Sequence, residues 1–168
     1  MRKLCKPLYD NITLSSSAVS ADLFQIPIGQ GSKTKYHTNM SNAGMLPTGE
    51  SFEVYGIRVA FAANCVAADV VAVAAGYMEF YLGAEVVFES PIFDLPSGNG
   101  LTVESTEALA TGGISYAALG VRSPLSGKVI NPAITLASLS NFKVSCIWGA
   151  APNAKTFWVI LDGYWYKI

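Results

Sequence analysis

The chain has 168 residues, of which 51% are hydrophobic and only 14% are charged, and its formal net charge is −1. Soluble domains usually carry about 25% charged residues, so this composition predicts a surface that partners or lipid cover. The nearly neutral charge argues against nonspecific attraction to nucleic acid, which requires a basic face. We therefore expect no direct nucleic-acid partner.

Residues 1–20 are predicted to form an N-terminal arm. Basic residues come first, a run of serines follows at 15–17, and only residues 11–14 have the pattern of a short strand. The basic start is not followed by the apolar run of a secretory signal, so synthesis and assembly in a cytoplasm are expected. Residues 21–168 are predicted to form one domain, because their number suits a single hydrophobic core.

The first half of this domain alternates short strands with a long loop. Residues 23–28 predict a strand at a sheet edge, because Pro27 cannot donate a backbone hydrogen bond. Residues 29–49 form a polar loop of the length that usually serves function or contacts partners. Residues 51–62 predict a longer strand, with Tyr55 and Ile57 on the same face.

Residues 65–75 fit either a helix or a strand. Their valines favour a strand through β-branching, whereas their alanines favour a helix. Residues 77–82 and 85–89 predict a hairpin, because glycine at position 83 is preferred at the first place of a two-residue turn.

The second half predicts five more strand segments around Pro- and Gly-rich connections. Residues 101–103 and 114–119 are weak candidates, whereas residues 130–139 and 142–148 are clearer. The last segment, 157–168, is apolar on both faces, which indicates a strand in the middle of a sheet. About eight short strands separated by turn residues predict an all-β sandwich or barrel.

The sequence contains no recognisable catalytic or metal-binding motif. His37 is the only histidine, so neither a histidine-rich metal site nor a Ser-His-Asp triad is predicted. The Gly-rich segment 29–34 lacks the spacing of a phosphate-binding loop. Carboxylates at 79, 85 and 89 are expected to face solvent. We therefore predict no catalytic residue, metal or cofactor, and a non-enzymatic function.

The three cysteines, Cys5, Cys65 and Cys146, are far apart in the sequence. Metal sites built from thiolates need close pairs, so free thiols are expected, with an inter-subunit disulfide through Cys5 as the alternative. The aromatic side chains of the last segment are expected to pack in the core or at an interface, with a sugar-stacking platform as the alternative.

Two segments resemble a known family. Residues 45–59 (MLPTGESFEVYGIRV) and 157–168 (FWVILDGYWYKI) resemble the opening and the closing strand of small single jelly-roll major capsid proteins. These proteins belong to tailless icosahedral bacteriophages and archaeal viruses that enclose an internal membrane. The loop at 91–100 also resembles their inter-sheet connection. The resemblance covers residues 40–168 and implies an eight-stranded jelly roll with long loops that self-assembles into a virion capsid.

The arm, the 29–49 loop and the 101–128 segment are the expected assembly contacts. The partners implied are copies of the chain, a second capsid protein and, at the basic arm, lipids of the internal membrane. The candidate contact residues are Arg2, Lys3, Cys5, His37, Asn39, Asn42, Arg122 and Lys128.

Two other functions remain open at this point. A jelly-roll carbohydrate-binding module would use exposed aromatic side chains and loop residues such as Asn39, Asn42 and Asp94. A membrane-embedded eight-stranded barrel fits the mean hydropathy of +0.36. Its strands need about 9–11 residues, however, and the predicted ones have about six.

Overall fold

The computed structural model describes residues 2–14, 19–62, 67–95, 101–105, 115–119, 128–149 and 155–167. Strands account for 59% of the protein and helices for 8%, so the predicted all-β class is confirmed. Two curled antiparallel sheets contribute to one hydrophobic core, and a hairpin forms a third, two-stranded sheet. No helix within these residues is long and apolar enough to cross a bilayer.

The elements follow one another in chain order with few helical segments between them. They are β1 (Arg2–Cys5), β2 (Leu8–Leu14), β3 (Ser20–Leu23), β4 (Glu50–Phe61), α1 (Ala67–Ala74), β5 (Tyr77–Leu82), β6 (Glu85–Pro91), a 3-10 turn (Ile92–Asp94), β7 (Leu101–Ser105), β8 (Ser115–Leu119), β9 (Lys128–Leu136), β10 (Phe142–Ile147) and β11 (Lys155–Lys167). The described residues thus contain eleven strand segments. The eight-strand count and the jelly-roll connectivity stay predictions.

The large sheet has the order β1-β11-β4-β9, and β2 extends the same edge as β1 by pairing with the other half of β11. The small sheet has the order β3-β10-β5-β6, and β7 pairs with β8 to form the two-stranded sheet. Strand β11 is therefore central, as its apolar sequence predicts.

The core lies between the two sheets. Alternate residues of β10 and β11 are buried, which is the period expected of strands with one face inward. Leu161 on β11 and Phe80 on β5 are fully buried representatives from opposite sheets. Truncation of such a side chain to alanine typically costs about 2–5 kcal/mol, so this layer supplies much of the stability.

Residues 2–14 differ from the predicted arm, because they are part of the large sheet. Arg2–Cys5 pairs with residues 164–167 and Leu8–Leu14 pairs with residues 155–161. Leu8 and Asp10 are completely buried. The pairing partner lies more than a hundred residues away in the chain, so the local pattern of 1–20 does not reveal it.

One further predicted strand is displaced, and the segment left open between helix and strand is a helix. The strand predicted at 23–28 is displaced to Ser20–Leu23, because Phe24 adopts a positive φ of 68° and ends the pairing. It is an edge strand, as predicted. The segment left open at 65–75 contains the helix α1, which buries Val73 in the core.

A β-bulge in β4 reverses the face predicted for Tyr55. Asp162 lies opposite Gly56 and Gly163 lies opposite Val54, so Tyr55 is the extra residue. Its side chain is 38% exposed, whereas Ile57 is fully buried. The prediction that both share a face is therefore wrong, because the bulge shifts the alternation by one residue.

The predicted hairpin between β5 and β6 is confirmed. Gly83 has φ of 59° at the first turn position, a conformation that glycine adopts without strain. The hairpin places Glu79 directly opposite Glu89 on the outer face of the small sheet.

Candidate functional site

Strand β1 and the residue that follows it form a basic edge, defined by Arg2, Lys3 and Lys6. All three residues are exposed, and so is Cys5 beside them. Among the described residues, β1 pairs only with β11, so its other side offers backbone groups to solvent or to a neighbouring chain. Lysine and arginine on an edge strand prevent uncontrolled pairing with other chains.

Aromatic rings of β11 support the cations of the basic edge. The Nζ atom of Lys3 lies 3.8 Å from the ring centroid of Tyr164, and that of Lys6 lies 5.1 Å from the ring of Trp165. Such contacts contribute about 0.5–1 kcal/mol each at exposed sites. Trp165 itself is buried and Tyr166 donates a hydrogen bond to Glu53 at 2.8 Å. These aromatic side chains therefore pack within the sheet, in agreement with the packing interpretation.

The predicted contact residue Asn39 fastens the long loop to β2. The backbone N–H of Tyr9 donates to Asn39 Oδ1 at 2.9 Å, and Asn39 Nδ2 donates to the carbonyl of Pro7 at 2.8 Å. The backbone N–H of Asn39 also donates to the carbonyl of Tyr9 at 3.2 Å. The side chain thus satisfies backbone groups within its own chain.

A buried ion pair anchors the beginning of the same loop. Asp10 is completely buried and accepts hydrogen bonds from Lys33 Nζ and from the backbone N–H of Phe24. Lys33 also donates to the carbonyl of Asn11 at 2.8 Å. Asp10 therefore joins β2, the end of β3 and the loop. Sequence analysis missed this pair because the Gly-rich segment around Lys33 has the composition of a flexible loop.

The remaining candidate residues do not gather at one place. His37 accepts a hydrogen bond at Nδ1 from the backbone N–H of Thr34 at 3.1 Å, and both His37 and Asn42 are half-buried within the loop. Lys128 begins β9 opposite Ile57. Arg122 lies outside the described residues. The structure therefore brings together Arg2, Lys3 and Cys5 on one strand, with Asn39 joined to the neighbouring Pro7.

Strands β5 and β6 carry an acidic edge, defined by Glu79, Glu85 and Glu89. Glu85 and Glu89 are exposed on the outermost strand of the small sheet, as predicted for solvent-facing carboxylates, and Glu79 is half-buried. Tyr81 donates a hydrogen bond to Glu79 at 2.6 Å, and this bond raises the pKa of the Tyr81 phenol. Carboxylates directly opposite each other repel, so Glu79 and Glu89 favour a nearby cation.

An apolar groove separates β6 from β9, where the two sheets diverge. It has a volume of about 440 Å³ and is lined by Phe88 of β6, by Ile130 and Ile134 of β9, and by Leu82 at the end of β5. The groove identifies β6 and β9 as neighbours on the same side of the sandwich.

The thiol groups and carboxylates do not form a metal site in the described part of the chain. No three side chains of the ligating types lie close enough together there to hold an ion. Cys5 is exposed, whereas Cys146 is buried and its burial strongly raises the pKa of its thiol. Cys65 lies outside the described residues.

No known protein family, curated protein or solved structure matches this chain at a significant level. The resemblance to capsid proteins therefore depends on the two sequence segments described above.

Proposed function

We propose that this chain is a capsid subunit that assembles with copies of itself into an icosahedral shell. The observation that supports the proposal most is the two-sheet sandwich, whose lateral sides at β1 and β6 carry exposed, charged strand edges. A rigid sandwich of this kind can contact several neighbours at once. Symmetry then repeats each contact throughout the shell.

Modest contacts are sufficient for such a shell. Burial of apolar surface contributes roughly 25 cal/mol per Å², and losses of translational and side-chain freedom oppose it. The long loop is a suitable contact element, because Asp10 and Asn39 hold it to β2 before any partner binds. Little loop ordering then has to accompany assembly.

The proposed partners also include a second capsid protein, as the resemblance of residues 45–59 and 157–168 implies.

Sedimentation velocity and electron microscopy of the purified chain test the capsid proposal. The expected result is closed particles of uniform size whose amount rises steeply with protein concentration. A protein that stays monomeric at every concentration and salt condition contradicts the proposal.

A carbohydrate-binding module is the second candidate, and one observation favours it. Tyr36 is 70% exposed and its ring meets Trp158 edge to face at 5.5 Å between centroids. Exposed aromatic rings on a rigid support provide a surface for sugar stacking. Glycan-array binding that Tyr36→Ala abolishes and Tyr77→Ala preserves would support this function. Absence of binding on the array contradicts it.

A further inference from the structure

We propose that the basic edge of one copy binds the acidic edge of the next copy, so that neighbouring subunits join head to tail. This inference rests on the capsid function proposed above and specifies one contact that builds the shell. It is supported by the position of the two edges, by their level along the strands and by their charges.

The two edges lie on opposite sides of the sandwich. Strand β1 begins the order of the large sheet, and β6 ends the order of the small sheet. Asp10 on β2 contacts Phe24 after β3, so the β1–β2 edge lies over β3. The apolar groove places β9 beside β6 at the other side. A subunit therefore presents its basic edge to one neighbour and its acidic edge to another.

Both edges also lie near the same end of the strands. Across the large sheet, Cys5 pairs with Tyr164 on β11, Tyr164 pairs with Glu53 on β4, and Glu53 pairs with Thr135 on β9. Thr135 lines a cavity of about 410 Å³ together with Leu82, and Leu82 pairs with Glu85. Glu85 therefore lies at nearly the same height along the strand axis as Cys5, which is between Lys3 and Lys6 in the sequence. Side-by-side subunits bring these residues together without sliding along the strand axis.

The charges of the edges complement each other. The basic edge has three cations and the acidic edge has three carboxylates. Within the described residues, the ion pairs of the chain involve neither Arg2 nor Glu85 nor Glu89. Glu85, at the level of Cys5, is the carboxylate closest to Lys3 and Lys6 of the neighbouring subunit, and Glu89 lies further along β6 beyond a bulge at Val87.

Like charges exclude the simplest alternative contact. Two basic edges related by a twofold axis repel each other, as do two acidic edges. A contact between unlike edges is heterologous, and heterologous contacts generate closed rings when the rotation between subunits closes. Rings of this kind are the units from which an icosahedral shell is built.

Charge reversal with complementation tests the contact. We expect Arg2→Glu with Lys6→Glu to weaken self-association by about tenfold or more, and Glu85→Lys with Glu89→Lys to do the same. The chain that carries all four substitutions has the original net charge, and we expect its association to recover. Sedimentation velocity at low salt measures all variants. Lys155→Glu is the charge-reversal control, because Lys155 lies at the opposite end of β11 from Tyr164, which pairs with Cys5.

A cross-linking experiment does not depend on the strength of association. Glu85→Cys in a Cys65→Ser background places a thiol opposite the native Cys5 of the neighbouring subunit. Mild oxidation is expected to produce a ladder of covalent oligomers on a denaturing gel. The ladder should disappear when Cys5→Ser is added, and Lys155→Cys at the control position should give none.

The results separate this inference from the capsid function. Shells that form equally well in both charge-reversed variants, with no ladder from Glu85→Cys, refute the edge contact and leave the capsid proposal intact. Complete absence of association in the unmodified chain refutes both.

Discussion

Lys33→Met tests whether the buried ion pair with Asp10 fastens the two sheets and the long loop together. Methionine keeps the aliphatic stem that packs in the protein and removes only the ammonium group. Asp10 would then remain completely buried with the backbone N–H of Phe24 as its donor. We expect a large loss of stability from this single substitution.

The expected loss follows from the burial of the pair. The side chain of Asp10 is 0% exposed and that of Lys33 is 13% exposed. Removing one partner of a buried pair leaves an uncompensated charge and costs about 3–5 kcal/mol. For a chain of this size, each kcal/mol lowers the melting temperature by about 2–4 °C. The expected decrease in Tm is therefore roughly 6–20 °C.

Guanidinium denaturation at one protein concentration measures the free energy of unfolding of each variant. Lys35→Met is the matched control, because Lys35 is exposed two residues further along the same loop. Adding Asp10→Asn to Lys33→Met removes the buried charge but keeps an acceptor for Phe24, so part of the stability should return. A loss below about 1 kcal/mol for Lys33→Met, as for an exposed pair, would refute this reasoning.

Three further predictions concern other parts of the chain. Gly163→Ala should lower the free energy of unfolding by about 1–3 kcal/mol or more in denaturant melts, because a Cβ there would lie 2.2 Å from a backbone oxygen of β4. A thiol reagent followed by peptide mapping should label Cys5 rapidly and Cys146 only after unfolding, because Cys146 is buried and its pKa is raised. Ultraviolet titration should show that Glu79→Gln lowers the pKa of Tyr81, which the hydrogen bond to Glu79 raises. In the folded protein the phenol of Tyr81 keeps its proton to a higher pH than the ordinary pKa of about 10. The free energy of unfolding should therefore fall as the pH rises beyond that value, and it should fall less in Glu79→Gln.

Each of these predictions has a contrary result. Unchanged stability of Gly163→Ala would contradict the close approach of β11 and β4. Equal labelling rates of Cys5 and Cys146 in the folded protein would contradict the burial of Cys146. An unchanged phenol titration in Glu79→Gln would contradict the hydrogen bond from Tyr81.

Local sequence predicted the parts of the fold whose pairing is local. The hairpin β5–β6 has both strands and its turn within residues 77–91, and Gly83 identifies the turn chemistry. Strand β10 shows a clear period of two, so its buried face follows from the sequence alone. Strand β11 is apolar on both faces in the sequence, so only the structure reveals which alternate residues are buried.

Features that depend on distant partners were not predictable from local pattern. Residues 2–14 become strands because β11 provides an edge for them, and Tyr55 faces outward because a bulge interrupts β4. The proposed contact surfaces were likewise only partly predictable from the local sequence. The predicted basic arm indicated Arg2, Lys3 and Cys5, whereas the proposed role of Glu85 and Glu89 required knowledge of which strands are outermost.

The central position of β11 has a consequence for how the molecule reaches its native state. Strands β1, β2 and β4 all pair with β11, which follows them in the chain by roughly a hundred residues or more. During translation, these earlier strands are synthesised before β11 and remain without their hydrogen-bonding partner until it emerges. High contact order of this kind slows folding and leaves apolar strands open to aggregation, so nascent chains are expected to depend on chaperones until β11 has emerged.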